Sequence, residues 1–503
     1  MPSSSAGKEV GDIVQTPDAP IKSWRYLGGG KWEPNDAVRY TTGPGGVVGN
    51  RLPQIKTGAR REAANWIPGV NQLVNRQPMQ EAMACDRDGA TKWSAVVVTG
   101  GCTIEGDTER TCPITGLPTA KVTLVAGVTG AQRIDWAGLN ITPDPDDVWM
   151  ISVWIPYDTP NPDIEFYMYG TATTGTGTWR VMRFMAERFH PGWNILTISH
   201  VEKFVGATEY GVVDGTDPLR NIQIGGGMTE STPVQAIRLN IRDVDGLGRV
   251  FHVGGVFRAK RGWATPAVIW MFDDVGATFY ERGLPIIEEY GWKATLCVTS
   301  GYAAEPRVTY MSLDQVLDAQ QRGHEIWGHL RLHENITSTP NPERALREAQ
   351  RYWTSRGIQT AAQCMAWPFG AYNAAGATLA KQLGYKLARG INGQYHSPIA
   401  PGVAPYTFGA YNLEKENSWH IDAMINGAIR KGLALFTYGH RTEPGGAGIN
   451  VRPPDGNSHY TDHLRRWCDI VKAAEQRGEC VVPTALEWFR LCGIDPLATT
   501  FVE

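Results

Sequence analysis

The chain has 503 residues, of which 42% are hydrophobic and 20% are charged, a balance that is typical of folded globular proteins and that excludes disorder throughout. This length exceeds what one ordinary hydrophobic core holds, so we expect two or three domains. The formal net charge of −3 and an isoelectric point near 6.4 give no broad basic field, which argues against nucleic acid or an anionic membrane as the main partner.

The first 85 residues carry few regular signals. Gly28–Gly30 and Gly43–Gly46 mark turns, and we expect residues 1–85 to form an irregular or short-stranded attachment region. The amino terminus lacks the basic start and apolar segment of a signal peptide, and no apolar run is long enough to span a bilayer. We therefore expect a protein that is made in a cytoplasm, has no signal peptide and does not insert into membranes.

Residues 86–261 alternate short apolar runs with clusters of Gly, Pro, Asp and Thr, a spacing that favours an antiparallel β-sandwich. The predicted strands include Ala95–Thr99, Ala120–Val125, Trp149–Trp154, Ala236–Ile241 and Val250–Phe257. A basic linker follows the last run, and we place a domain boundary there. The region resembles carbohydrate-binding jelly rolls, which implies contact with sugars.

The eight cysteines have no Cys-x-x-Cys spacing, which argues against a cysteine metal site. Cys102 and Cys112 flank a polar, turn-like segment. They are candidates for a disulfide in an oxidising setting, and buried thiols are the alternative.

From residue 262 onward apolar strands alternate with helical patterns. The predicted strands are Val268–Phe272, Thr295–Val298, His324–Trp327 and Met365–Trp367, and the predicted helices are Tyr280–Tyr290, Ser312–Arg322, Pro342–Arg356 and Ala374–Leu383. This alternation predicts a parallel α/β domain over residues 262–503, a distorted β/α barrel. In such a fold, polar residues at the carboxyl ends of strands form the active site.

Polar residues follow several of these predicted strands in order. Asp273 and Asp274 end the first run, His329-x-x-x-His333 follows the third, Trp367-Pro368-Phe369-Gly370 ends the fourth, and His440 follows a late apolar run. Two carboxylates and two histidines suit a divalent metal with one carboxylate left free for proton transfer. The pattern therefore predicts a hydrolase.

These motifs resemble those of the polysaccharide deacetylases with a NodB homology domain, carbohydrate esterase family 4, over residues 265–489. The resemblance implies Asp273 as catalytic base and Asp274, His329 and His333 as ligands of one divalent metal, expected to be zinc, although cobalt and nickel also suit these ligands. It further implies His440 as general acid. The backbone N–H of Phe369 is expected to help hold the oxyanion, and Trp327, Trp367 and Pro368 are candidates to line the substrate cleft.

The chain departs from the family pattern in two places. The family often carries an arginine two residues before the motif proline, where it contacts the base aspartate, whereas this chain has Ala366. Arg389 is a candidate substitute, for which the sequence offers no positional argument. A further motif that orients the acid histidine is not identified within Tyr411–Lys415.

The predicted order of domains resembles a bacteriophage tail fibre or tailspike. On this hypothesis the protein is a virion component that removes acetyl groups from an acetylated bacterial surface polysaccharide, a capsule or O-antigen. Its further partners would be phage tail or baseplate proteins, and it would form a homotrimer. Two alternatives are a catalytically weak receptor-binding tail protein and a bacterial deacetylase that acts on peptidoglycan or another acetylated glycan.

Overall fold

In the computed structural model, the chain divides into two compact units, residues 1–58 and 59–503. The structure describes five short strands before residue 101, and then residues 101–498 except 115–117, 145, 157–162, 176, 185–190, 200–219, 306–308, 392–394, 399–404, 415–417, 447–452 and 454. In the first unit, β1 (Ile13–Gln15), β2 (Ser23–Gly28) and β3 (Lys31–Pro34) form an antiparallel sheet.

Two antiparallel sheets build the amino-terminal part of the second unit. Their strands are β4 (Gln80–Met83), β5 (Ser94–Val96), β6 (Thr103–Thr111), β7 (Pro118–Thr123), β8 (Gln132–Ile141), β9 (Asp147–Ile155), β10 (Asp163–Tyr169), β11 (Trp179–Phe184), β12 (Gly192–Ser199), β13 (Arg220–Gly225), β14 (Val234–Arg242) and β15 (Val250–Lys260). One sheet has the order β13-β11-β10-β14-β8-β5, and the other has the order β12-β9-β15-β7-β6, with β4 also paired to β15.

The two sheets bury one common core. In β10 the alternate residues Ile164, Phe166 and Met168 are buried, as expected for a strand with one face inward. They share a hydrophobic cluster with Val153 of β9 and Phe251 of β15, which belong to the opposite sheet. Side chains from both inner faces thus fill the space between the sheets, which is the arrangement of a β-sandwich.

Cys102 and Cys112 of the sandwich are not joined to each other. Both are buried, and neither forms a disulfide. The Cys102 thiol donates to the carbonyl oxygen of Arg133 at 3.5 Å, and Cys112 Sγ lies 3.4 Å from Ser152 Oγ. The disulfide considered for this pair is therefore absent, and the buried-thiol alternative is the one the structure has.

The carboxyl-terminal part mixes strands and helices. Its strands are β16 (Ala267–Ile269), β17 (Met271–Asp273), β18 (Thr295–Val298), β19 (Glu325–Gly328), β20 (Cys364–Ala366), β21 (Leu387–Arg389), β22 (Tyr395–His396), β23 (Tyr411–Asn412), β24 (Ala434–Tyr438), β25 (Arg441–Glu443) and β26 (Ser458–Tyr460). A π-helical turn (Phe279–Gly283) leads into α1 (Leu284–Glu289), and the other helices are α2 (Ser300–Ala304), α3 (Leu313–Gln321), α4 (Pro342–Thr354), α5 (Gln359–Gln363), α6 (Ala374–Gln382), α7 (Ser418–Lys431), α8 (Thr461–Gln476) and α9 (Ala485–Leu491).

Local sequence explains where several of these helices begin. Ser312 and Gln315 form a capping box at the start of α3, and Thr484 and Glu487 form one at the start of α9, which satisfies amide groups that have no partner inside the helix. The Asn373 side chain accepts from the Gly376 N–H at the start of α6 at 2.8 Å. No helix of the described chain is both long and apolar enough to span a bilayer.

The strands of this part form a curled parallel sheet, as the α/β pattern predicts. β17-β18-β19-β20-β21 are parallel neighbours. The first apolar run is divided at Trp270, so that β16 pairs with β24 while β17 pairs with β18. On the far side, the Ala388 and Gly390 N–H groups donate to the carbonyls of Pro405 and Phe408, both at 2.8 Å. The following β23 pairs with β24, so this segment bridges the two ends of the sheet.

The sandwich and the α/β part, which meet in the chain at the predicted boundary at residue 261, share a hydrophobic core. Ile114, Met150 and Phe257 of the sandwich belong to the same buried cluster as Trp263 and Ile425 of the α/β part. The Trp263 indole N–H also donates to the carbonyl oxygen of Lys431 at 2.8 Å. The two parts are therefore packed against each other through a common core.

Candidate active site

The predicted site residues meet at one edge of the curled sheet. They follow the carboxyl ends of β17, β19, β20 and β24, and these ends lie together in a parallel arrangement. A pocket of about 350 Å³ opens there, lined by Asp273, Asp274, Gly276, Tyr310, His329, His333, Phe369, Gly370, Ile391, Asn412, Tyr438, His440, Arg441 and Asn457. All six residues predicted as catalytic or metal-binding are among them.

Asp274, His329 and His333 present three ligand atoms to one point. Their ligand atoms lie within 4.8 Å of one another, and Asp274 Oδ1 is 3.9 Å from His329 Nε2 and 3.5 Å from His333 Nε2. The Thr299 hydroxyl donates to the same carboxylate oxygen at 3.0 Å. One carboxylate and two imidazoles are a ligand set that suits zinc and leaves a coordination position open.

The hydrogen bonding of His329 and the pKa of His333 fit a metal site. His329 Nδ1 lies 2.9 Å from the carbonyl oxygen of Ala366, and because a carbonyl can only accept, Nδ1 donates this bond and Nε2 is the nitrogen left for a metal. Burial, reinforced by electrostatic interaction with His329, lowers the pKa of His333 to about 4. Neutral imidazoles are the form that binds metals.

The backbone around this pocket is strained. Among the described residues, the non-glycine residues with positive φ are Asp274 (56°), Val275 (47°), Leu330 (58°), His333 (59°) and Phe369 (59°). All are predicted site residues or follow one directly. A left-handed conformation is costly for a residue with a Cβ, above all for a β-branched one such as Val275, and such strain collects at functional sites.

Arg389 holds the predicted base. Its Nη2 donates to Asp273 Oδ1, and both side chains are buried. Arg389 is the Cα partner of Ala366 in the pairing of β20 with β21, so it occupies the strand position beside the one where the resemblance places an arginine. The register of β20 and β21 explains how Arg389 can take the place of the motif arginine, which the sequence alone did not explain.

The environment of Asp273 keeps it ionised. Burial by itself would raise the pKa of Asp273, but electrostatic interaction with Arg389, followed by that with His329 and His440, brings the pKa below its ordinary value. The side chain is therefore ionised, and able to accept a proton, although it is almost fully buried.

Glu414 holds His440, which follows β24. One Glu414 oxygen lies 2.6 Å from His440 Nδ1, and the other accepts from the His440 backbone N–H at 2.5 Å. Burial lowers the pKa of His440, but the hydrogen bond and charge of Glu414 outweigh burial and raise the pKa to about 9. Burial likewise opposes ionisation of Glu414, yet the hydrogen bond from His440 and the proximity of His459, whose Nδ1 is 3.9 Å from Glu414 Oε1, lower its pKa to about 2. The pair is thus an imidazolium and a carboxylate at neutral pH.

Phe369 forms part of the pocket rim. It is 62% exposed, and its ring lies 4.4 Å from that of His333 between centroids. The turn around it is closed by the Gly370 N–H, which donates to the carbonyl oxygen of Trp367 at 2.9 Å. This turn places the Phe369 backbone, predicted to help hold the oxyanion, beside the metal ligands.

The other aromatic candidates do not face the pocket. Trp327 and Trp367 are fully buried, and Pro368 is buried as well. The Trp367 indole N–H donates to the carbonyl oxygen of Tyr406 at 2.8 Å, and that of Trp327 donates to Glu325. The predicted substrate-lining role is corrected accordingly, because a ring enclosed in the core has no surface for a sugar.

Sequence reasoning missed Glu414 and left Arg389 without an argument. Glu414 lies in Tyr411–Lys415, the segment in which no histidine-orienting motif was identified, and only its position after β23 brings it to His440. An arginine that ends an apolar strand is a detectable signal, because a buried charge needs a partner. Asn412, Tyr438 and Arg441 also line the pocket without having been predicted.

A known protein family matches part of the α/β half of the chain. Residues 261–388 match the family model described as polysaccharide deacetylase. A search among curated proteins finds no significant match.

Several solved structures are similar to parts of the chain. The deacetylase PplD of Streptococcus pyogenes in complex with acetate is 24% identical with a TM-score of 0.26, covering 28% of this chain and 62% of that chain. The Xyl-CE4 domain of a multidomain xylanase from the hindgut metagenome of Trinervitermes trinervoides is 16% identical with a TM-score of 0.31, and the match covers 46% of this chain and 94% of that domain. IcaB from Ammonifex degensii is 18% identical with a TM-score of 0.27, and the match covers 33% of this chain and 72% of that chain. The chain spans less than two thirds of PplD. By the family match, residues 261–388 are a domain of the polysaccharide deacetylase family, whose members are hydrolases that act on acetyl groups.

Proposed function

We propose that this protein is a metal-dependent deacetylase of an acetylated bacterial surface polysaccharide. The observation that carries the proposal is the pairing of opposite environments in one pocket. Arg389 keeps Asp273 ionised, whereas Glu414 keeps His440 protonated. Two titratable groups whose pKa values are pushed in opposite directions are the mark of an assigned base and acid.

The metal would be held by Asp274, His329 and His333. When bound, a divalent ion supplies Lewis acidity towards the acetyl carbonyl and lowers the pKa of water. Asp273 directly precedes the ligand Asp274, and Arg389 binds its Oδ1. We therefore assign Asp273 to proton transfer, through its other oxygen, and not to the metal.

The proton steps follow from the two pairs. Asp273 accepts a proton from the water that attacks the acetyl carbonyl, because its pKa is low enough for it to be ionised and its other oxygen is not needed by Arg389. His440 then donates a proton to the leaving nitrogen or oxygen of the sugar. Glu414 positions the imidazolium through Nδ1, which leaves Nε2 as the donor atom.

The Phe369 amide is assigned to the oxyanion. Its residue lies on the pocket rim beside His333, and a backbone N–H placed before the reaction needs no reorganisation when charge develops. Loss of one such donor costs about 10²–10³ in rate in other hydrolases. The strain at Phe369 is consistent with a backbone held for this purpose.

The test is acetate release from a panel of acetylated bacterial polysaccharides. Chelator-treated protein should lose activity and regain it with zinc, and Asp273→Asn should remain folded and release no acetate. Asp318→Asn, a surface substitution on α3 remote from the pocket, is the matched control. If folded, zinc-loaded protein releases no acetate from any polysaccharide of the panel, the proposal is wrong.

The biological setting is a further proposal. We infer a role in a phage tail, with capsule or O-antigen as substrate, tail or baseplate proteins as partners and a trimeric assembly. This inference is supported by the order of an amino-terminal sheet, a sandwich and a deacetylase domain. Detection of the protein in purified virions is the test. Deacetylation of peptidoglycan by a bacterial cell fraction that contains the protein, without any virion, would favour the bacterial alternative. The receptor-binding alternative rested on Ala366, and the contact of Arg389 with Asp273 removes its main support.

A further inference from the structure

Arg441 is a cation in the pocket wall that the proposed reaction does not use. It follows His440 directly, begins β25 and lines the pocket. Its side chain is 35% exposed, and the nearest carboxylate oxygen, Asp455 Oδ2, is 3.9 Å from its Nη1. Among the described residues no hydrogen bond is made by its guanidinium. An arginine has five N–H donors, so donors remain available to a ligand.

The other charged groups of the pocket are already paired. Asp273 is bound to Arg389, and His440 is bound to Glu414. Asp274 belongs to the predicted metal site. In the described pocket wall, Arg441 has only the loose ion pair with Asp455 at 3.9 Å.

The backbone beneath Arg441 accommodates its stem. A Cβ at position 276 would lie 2.7 Å from Arg441 Cγ, so the glycine leaves room for the arginine to lie against the chain. The Gly276 N–H donates to the carbonyl oxygen of His440 at 3.1 Å, which fixes this segment beside the acid histidine. The position of Arg441 is therefore coupled to the catalytic strand ends.

The ion pair with Asp455 does not explain why an arginine is present at position 441. At 3.9 Å the two groups are beyond hydrogen-bond distance. Asp455 has other partners, because its Oδ1 accepts from the Asn457 N–H at 3.2 Å and from the Ser458 hydroxyl. A loose, partly exposed ion pair contributes little to stability, so a purely structural role explains the arginine poorly.

The remainder of the pocket rim differs in character. Phe369 and Tyr310 line it without charge, and Phe369 is largely exposed. A sugar bound in this pocket would meet aromatic rings as well as a cation. A few polar groups in an otherwise apolar lining fix the orientation of an asymmetric ligand.

We propose that Arg441 selects glycans with an anionic group, a carboxylate or a phosphodiester, on or next to the acetylated sugar. The inference rests on the proposed deacetylase function and adds a substrate class to it. Guanidinium groups bind carboxylates and phosphates through paired N–H donors. Arg441 is a specificity residue and takes no part in the proton steps.

The experiment starts from a polysaccharide of the panel that yields acetate. It is compared with the same polysaccharide after chemical reduction of its carboxyl groups and, separately, after removal of its phosphates. We expect the native enzyme to lose about tenfold in kcat/KM, mainly through KM, after one of these treatments. The treatment that causes the loss identifies the anion.

Arg441→Gln is then tested on the same pair. We expect a loss of about tenfold on the untreated polysaccharide and little discrimination between treated and untreated forms. The KM of the native enzyme for the untreated form should rise with salt, whereas that of Arg441→Gln should not. Arg282→Gln is the matched control, because its side chain is similarly exposed at 37%, carries the same charge and lies outside the pocket lining.

The outcomes separate the two proposals. Three results would each overturn the role of Arg441 and leave the deacetylase function standing. The native enzyme could turn over treated and untreated polysaccharide equally, or Arg441→Gln could lose the same activity on both. The third is deacetylation of neutral polysaccharides alone. Absence of acetate release from the whole panel would overturn the deacetylase function itself.

Discussion

Replacing Glu414 with glutamine should move the alkaline limit of activity to lower pH. The His440 imidazolium is stabilised by the Glu414 carboxylate, which raises its pKa to about 9. Glutamine has nearly the same shape, but it keeps only one of the two acceptor oxygens that Glu414 offers to His440, and it removes the negative charge. Because burial of His440 is then opposed only by the charges of Asp273 and Asp274, we expect its pKa to fall towards the ordinary value of about 6.5.

The size of the effect depends on the pH of the assay. At pH 7.5, a pKa of about 9 leaves His440 almost fully protonated, whereas a pKa of about 6.5 leaves about a tenth of it protonated. The variant should therefore lose about tenfold in kcat/KM at pH 7.5 and much less near pH 5.5, if the protonated form is the active one. Native enzyme should keep its activity up to about pH 9, the pKa of His440.

The assay is a kcat/KM profile over pH, accompanied by an NMR titration of the His440 ring in each protein. Glu443→Gln, which removes a partly exposed carboxylate paired with Arg282, is the matched control and should leave the profile unchanged. An alkaline limb that stays in place in Glu414→Gln would refute the assignment of His440 as an acid tuned by Glu414.

Three further outcomes are expected. Arg389→Met leaves Asp273 buried without its cation, which should lower the free energy of unfolding by about 3–5 kcal/mol, measured by chemical denaturation. Adding Ala366→Arg should restore part of this stability. A double variant no more stable than Arg389→Met would show that the two strand positions are not equivalent. Asp274→Asn should weaken zinc binding by more than about 100-fold in calorimetry, and an unaltered affinity would exclude it as a ligand. Phe369→Gly relieves a left-handed residue, so the unfolding free energy should stay level or rise by about 1 kcal/mol; a clear fall would mean that the exposed ring is needed for packing.

The catalytic half of the fold was largely predictable, because its signals are local. Thr295–Val298 is a strand as predicted, and α4 begins at Pro342 as predicted. Apolar strands alternating with amphipathic helices have few topologies available, and the curled parallel sheet follows from them. The division of the first strand at Trp270 was not predictable, since a continuous apolar run gives no sign of where its pairing changes partner.

The site was predictable where motifs follow strands and unpredictable where contacts are distant. Asp274 and His329 each follow a strand end, so their meeting depends only on the sheet. Arg389 reaches Asp273 through the register of two strands, and Glu414 reaches His440 through a segment that bridges the ends of the sheet. The burial of Trp327 was likewise invisible, because a strand enclosed on both faces has the same composition as one that borders a cleft.

The common core that joins the sandwich to the α/β part has a consequence for polymer recognition. Met150 and Phe257 of the sandwich share a buried cluster with Ile425 of the α/β part, so the two parts are joined by packing as well as by the chain. Any group bound on the sandwich would therefore stay at a fixed distance from the pocket. Separating the two parts at residue 261 would expose an apolar surface on each and would remove that fixed distance.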